Sequence, residues 1–142
     1  MSRVLYGDTG GNQLNASADK TQVYGLSGND TLVSDSKSDV LLIGGSGDDS
    51  LIMQGGNGTL SGGKGSDVFN LSYSADKKLS AVIEDLEPSS DKIIVNFDGG
   101  TTPQLSNKTV DKDVVLSDNS GLINVTIKGV RENDYFDGTA DD

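Results

Sequence analysis

The stretch Gly44-Gly45-Ser46-Gly47-Asp48-Asp49-Ser50-Leu51-Ile52 decides how the chain is read, because its pattern returns as Gly62-Gly63-Lys64-Gly65-Ser66-Asp67-Val68-Phe69-Asn70. Both copies fit Gly-Gly-x-Gly-x-Asp-x-apolar-x. The first six residues predict a turn whose glycines reach left-handed backbone angles without steric cost, so that carbonyl oxygens aim at one locus. The sixth residue adds a carboxylate. Calcium, a hard cation, takes about six to eight oxygens from carboxylates and carbonyls, and a glycine-rich acidic turn supplies that chemistry. The last three residues predict a short strand whose middle apolar side chain faces a core. One such turn alone buries almost nothing, so the unit predicts stacking.

Anchored on the inward apolar position, the period runs through Leu14, Val23, Leu32, Leu41, Leu51, Leu60 and Phe69 at intervals of nine, with a single interval of ten that places one insertion near Ile43. Seven repeats therefore span residues 7–70 and hold fourteen of the nineteen glycines. A glycine-rich linker would lack these periodic apolar anchors.

The repeats alternate in quality. The first, third, fifth and seventh carry glycine-rich turns at residues 7–12, 25–30, 44–49 and 62–67, whereas the second, fourth and sixth, at residues 16–21, 34–39 and 53–58, are degenerate. With two nonapeptides to each coil of a parallel roll, odd turns stack along one edge and even turns along the other. The odd edge then carries the candidate metal ligands: Asn12, Gly25, Gly28, Asp30, Gly44, Gly45, Gly47, Asp48, Asp49, Gly62, Gly63, Gly65 and Asp67. Stacking puts Asp30, Asp49 and Asp67 in a column at the strand spacing of about 4.8 Å. Like charges about 5 Å apart at an effective dielectric of about 20 repel by about 3 kcal/mol per pair, so a bare column opposes folding. Four glycine-rich turns leave three gaps, which predicts about three calcium ions bridging successive turns. Asn12 stands at the Asp position of the first turn, so the outermost gap is expected to bind most weakly. On the even edge Lys20, Lys37, Thr21 and Gly58 occupy the positions of ligands, leaving Asp39 as the one candidate there.

Composition agrees with a need for cations. The 142 residues include 11 basic and 22 acidic side chains, a formal charge of -11, with only 33% hydrophobic residues. This mix lies near the border of disorder unless the self-repulsion is offset. The acidic balance argues against nucleic acid and anionic membrane as partners, and no apolar run approaches membrane-spanning length. No signal peptide is expected in Met1-Ser2-Arg3-Val4-Leu5-Tyr6. Cysteine and histidine are absent, which removes thiolate nucleophiles, disulfides and histidine-bound zinc. A metal-stapled extracellular fold needs no disulfide.

On the repeats of residues 7–70 the chain resembles the RTX (repeats-in-toxin) family of calcium-binding nonapeptide modules. The resemblance implies an all-β fold, a right-handed parallel β-roll that is disordered without calcium and folded with it. It also implies type I secretion of an unfolded chain to a calcium-rich exterior. The degenerate even edge departs from a roll loaded on both sides.

After Asn70 the glycines thin out, and residues 82–86, 92–97, 114–116 and 123–127 predict strands of ordinary length. Pro88-Ser89-Ser90-Asp91 predicts a turn, residues 99–103 a loop and residues 117–121 a hairpin connection. An open solenoid end needs a cover, which divides the chain into a roll at residues 1–70 and a β cap at residues 71–142. Ile83-Glu84-Asp85-Leu86-Glu87-Pro88 with Asp91-Lys92-Ile93 resembles the segment after the repeats in serralysin-type C-terminal domains, which implies a β-sandwich-like cap. Tyr135 and Phe136 are expected to dock on it.

Catalysis is not expected. The carboxylate pairs outside the repeats, Glu84 with Asp85 and Asp111 with Asp113, read as solvated charges on edges and turns. The function expected is therefore a calcium-folding module of a secreted bacterial protein. The same shape also suits a module that grips extracellular polysaccharide beside a carbohydrate-active domain of its parent protein. A calcium-dependent adhesin or surface-layer module fits it too. Scattered basic residues and seven dispersed aromatics point to no obvious glycan platform.

Overall fold

A computed structural model describes residues 3–16, 21–34, 39–74, 76–87, 90–97, 105–110, 113–118 and 121–128. Expectations placed on Lys20, Lys37, Asp111, Tyr135, Phe136 and the 99–103 loop lie outside these residues. The described chain forms thirteen strands: β1 Arg3–Tyr6, β2 Gln13–Ala16, β3 Thr21–Tyr24, β4 Thr31–Ser34, β5 Asp39–Ile43, β6 Ser50–Gln54, β7 Gly56–Ser61, β8 Val68–Tyr73, β9 Leu79–Ile83, β10 Lys92–Phe97, β11 Leu105–Val110, β12 Asp113–Asp118 and β13 Ile123–Ile127. Strands β1 to β10 alternate between two sheets, ordered β1-β3-β5-β7-β9 in one and β10-β8-β6-β4-β2 in the other, with every pairing among them parallel. This is a parallel β-roll.

Alternate side chains of each short strand point inward, and in-register pairing turns them into columns. One column runs Leu5, Val23, Leu42, Leu60, Ile83, Ile127, and on the other sheet Leu14, Leu32, Leu51, Phe69, Ile93. Their central members are fully buried. The structure corrects the anchor of the fourth repeat. Leu42, not Leu41, is buried and pairs with Val23, while Leu41 pairs with Gln22 and Thr59 on the outer face. A one-residue slip exchanges the faces of a strand, so the ten-residue interval lies between Leu32 and Leu42 rather than near Ile43.

The sixth turn is also shorter than expected. Only Gly55 separates β6 from β7, with Gly55 and Gly56 in the left-handed region at φ 81° and 84°. Gly58 lies within β7 and points into the core, where the Met53 sulfur sits 2.7 Å from the position a Cβ would take. It is a packing glycine, not a vacant ligand position.

Beyond β10 the mode of pairing changes. Strands β11, β12 and β13 pair antiparallel, and β13 returns to lie parallel beside β9, lengthening the first sheet to eight strands. β11 has no counterpart among the strands predicted from sequence, because its Leu-Ser-Asn-Lys-Thr-Val carries apolar residues only at its ends. The strand predicted over residues 82–86 lies three residues earlier, as β9 runs from Leu79 to Ile83.

Candidate metal centre

Five connections join a strand of the eight-stranded sheet to one of the five-stranded sheet along one edge of the roll: residues 7–12, 25–30, 44–49, 62–67 and the 84–91 connection, described at residues 84–87 and 90–91. Each ends in Asn12, Asp30, Asp49, Asp67 or Asp91, and these five residues form a continuous ladder. The Asn12 amide donates to Asp30 Oδ1 (2.8 Å), Asp30 to Asp49 Oδ1 (2.8 Å), Asp49 to Asp67 Oδ1 (2.9 Å) and Asp67 to Asp91 Oδ1 (2.8 Å). One oxygen of each carboxylate is thus used to hold the preceding coil in register.

The second oxygen behaves differently along the ladder. Oδ2 of Asp30, Asp49 and Asp67 is buried and accepts no hydrogen bond, while the residues themselves are only 2%, 2% and 0% exposed. A buried carboxylate oxygen with no donor is costly, of the order of several kcal/mol for an ionised group, unless a cation partners it. Burial accordingly pushes Asp49 up to about 6, with a smaller contribution from the charges of Asp30 and Asp48 and partial relief from the Asp30 amide. Burial likewise pushes Asp67 up to about 7, with Asp91, Asp49 and Asp85 adding to the rise and the Asp49 amide opposing it.

The glycines explain why this geometry needs the repeat. At Gly25 a Cβ would stand 2.6 Å from Asp30 Oδ2, and at Gly44 and Gly62 it would overlap the carboxylates of Asp49 and Asp67. The first glycine therefore makes room for the carboxylate of its own turn. Gly28, Gly45, Gly47, Gly63 and Gly65 all have positive φ, between 84° and 108°. Each faces a backbone carbonyl of the preceding turn so closely that a side chain would collide with it. Successive turns thus pack carbonyl against glycine. Among the described residues no three carboxylates converge on one point; with one carboxylate per coil, any cation held here must take most of its oxygens from these carbonyls.

Asp48 stands apart from the ladder. It is exposed, its amide donates to Asn29 Oδ1 and its Oδ1 accepts from the Ser66 amide, which makes a second, solvent-side line of contacts between turns. On the opposite edge Asp39 is exposed at the start of β5.

Two carboxylates of this edge, one on the ladder and one beside it, are not among the ligands expected from the sequence. Asp91 lies 24 residues after Asp67, against steps of 18, 19 and 18 for the earlier rungs, so a fixed period passes over it. Its signal is local: Asp91-Lys92-Ile93 repeats the Asp-x-apolar ending of Asp49-Ser50-Leu51 and Asp67-Val68-Phe69. Asp85 accepts the Gly62 amide at Oδ1 (3.0 Å), and the Gly63 amide (2.9 Å) and Ser61 hydroxyl (2.7 Å) at Oδ2. Neighbouring Glu84 is exposed.

No protein-family model matches the sequence, and no curated protein matches it significantly. Among solved structures, the fold is similar to the extracellular lipase LipA from Serratia marcescens, at 22% identity and a TM-score of 0.45, over 92% of this chain and 19% of the lipase. It is also similar to the AlgE6R3 subunit of the Azotobacter vinelandii mannuronan C5-epimerase, at 26% identity and a TM-score of 0.34, over 87% of this chain and 73% of that subunit. The chain thus spans about a fifth of the lipase.

Proposed function

We propose that this chain is a calcium-binding, non-catalytic RTX-type module of a larger secreted bacterial protein, and that calcium completes its folding after type I secretion. The observation that carries this reading is the set of three buried, donorless carboxylate oxygens on Asp30, Asp49 and Asp67. All-oxygen donors without histidine or cysteine suit a hard cation and not zinc. The glycines of the last three odd turns, residues 25, 28, 44, 45, 47, 62, 63 and 65, shape the sites. Asn12 and Asp48 border them. Bound calcium would supply the positive charge that lets the ladder stay ionised while buried, which the unfolded chain cannot reproduce. Folding is then driven by mass action, with binding in the range of about 0.1 to 1 mM typical of extracellular modules. Residues 1–70 form the cation-responsive unit and residues 71–142 the segment that covers its end.

The test is far-ultraviolet circular dichroism of the chelator-treated protein during a calcium titration, with magnesium as control. A cooperative gain of β signal with calcium alone is expected. A β spectrum indifferent to chelator would replace this reading with a constitutive binding or adhesion module.

A further inference from the structure

The ladder is not open-ended. At its first rung Asn12 Oδ1 accepts the amide of Asp8 in the same turn (2.8 Å), and at its last rung Asp91 Oδ2 accepts the amide of Glu87 (2.8 Å). Both are contacts to the residue four positions earlier; Asn12 Oδ1 stands against Gly7 as the donorless Oδ2 of Asp30 stands against Gly25, and at Asp91 the acceptor is Oδ2 itself. Amides thus do at each end what the middle rungs leave undone. Asp91 shows that residue identity is not what ends the ladder, because an aspartate is terminated in the same way as the asparagine.

The closing gap, between the 62–67 turn and the 84–91 connection, holds one further feature. In the inner coils the first glycine amide donates to a strand carbonyl of the next coil, Gly25 to Ile43 and Gly44 to Ser61. At Gly62 the acceptor is instead the Asp85 carboxylate, which also takes Gly63 and Ser61. All three donors come from the last complete nonapeptide turn and the residue before it, and both oxygens of Asp85 are engaged.

We infer that Asp85 is a cation-free clasp: its carboxylate fastens the closing connection onto the last nonapeptide turn through hydrogen bonds alone, so that the ladder offers three cation positions and no fourth. This rests on the calcium reading above. As a positioning residue, Asp85 is expected to affect stability without affecting the number of ions bound.

The experiment is native mass spectrometry of the full chain in calcium, beside thermal unfolding of the calcium-saturated protein, for the wild type, Asp85→Ala and Asp85→Asn. The wild type is expected to hold three ions. Asp85→Ala should still hold three, with the thermal midpoint lowered by about 5 to 10 °C through loss of three charge-assisted hydrogen bonds. Asp85→Asn keeps acceptor capacity at one oxygen and should fall between the two, and it supplies the ion count if the alanine variant does not fold. A fourth ion in the wild type, lost in either variant, would make Asp85 a ligand and overturn the clasp while leaving the calcium reading intact. Absence of bound calcium in the wild type would instead overturn the reading on which the inference rests.

Discussion

The two edges of the roll solve the same connection problem with different chemistry. On one edge, residues 25–30, 44–49 and 62–67 spend glycines on close turn-to-turn packing and bury a carboxylate at each coil. On the other, a single glycine joins β6 to β7, and its amide and that of Gly56 donate to the carbonyls of Ser72 and Lys78. Backbone hydrogen bonds alone satisfy that turn. On the proposed calcium reading, the difference separates what holds the coils together from what would make folding respond to a cation: the core columns and the Gly55 turn are satisfied by apolar packing and backbone hydrogen bonds, whereas the aspartate edge carries three buried carboxylate oxygens without a donor. On that reading the Gly55 connection is independent of cations.

The largest contrast is expected between Asp49→Ala and Asp39→Ala. Asp49 sits in the middle of the ladder, donating its amide to Asp67 and receiving that of Asp30, while Asp39 is exposed on the other edge. Asp49→Ala should raise the calcium midpoint for folding by about tenfold or more, and Asp39→Ala should leave it unchanged. Equal midpoints in a circular-dichroism titration would break the one-edge comparison.

Next in size are the glycines. Gly45→Ala places a methyl group against the Leu26 carbonyl at a φ of 93° and should cost about 2 kcal/mol or more in chemical denaturation. Gly121→Ala shares a positive φ of 80° but meets nothing within 4 Å, so it should cost only about 1 kcal/mol. Similar costs would mean that turn-to-turn packing is not what demands glycine on the aspartate edge.

Acidification provides a third test because proton and cation compete for the same carboxylates. Asp49 and Asp67 are raised from 3.8 to about 6 and about 7. A group whose folded value is raised contributes stability at pH below its unfolded value and loses it as pH climbs through the folded value. Without calcium, β signal should therefore grow as pH falls from about 8 to about 5. With calcium, the midpoint should shift to higher concentration over the same range. A calcium midpoint independent of pH would remove these two carboxylates from the cation sites.

The smallest effect is expected at Leu26, which holds a φ of 76° at the position filled by Gly45 and Gly63 in the next two turns, and is 48% exposed. Relief of left-handed strain, worth about 1–2 kcal/mol, outweighs the entropy of a new glycine at about 0.5–1 kcal/mol. Leu26→Gly should thus stabilise the protein by up to about 1 kcal/mol, measured by denaturant midpoint.

Much of this architecture was legible in the sequence, and the gaps have physical causes. The nonapeptide period located Asp30, Asp49 and Asp67 because stacking forces equal chain length per coil. It misassigned Leu41 because Leu41 and Leu42 are both leucine, so composition cannot say which faces the core after an insertion; the pairing with Val23 decides. Gly58 resembled a failed ligand position because a packing glycine and a turn glycine look alike until Met53 is seen beside it. Asp85 and Asp91 were hidden because the closing coil takes 24 residues from Asp67 to Asp91 where the earlier coils take 18 or 19, and a carboxylate that accepts amides leaves no periodic trace.

The most direct test of the central claim is a crystal structure grown in calcium, with ions located by anomalous scattering. The account predicts ions on the aspartate edge within about 2.3–2.6 Å of Oδ2 of Asp30, Asp49 and Asp67. Ions bound elsewhere, or these three oxygens still without a cation in a folded roll, would contradict it.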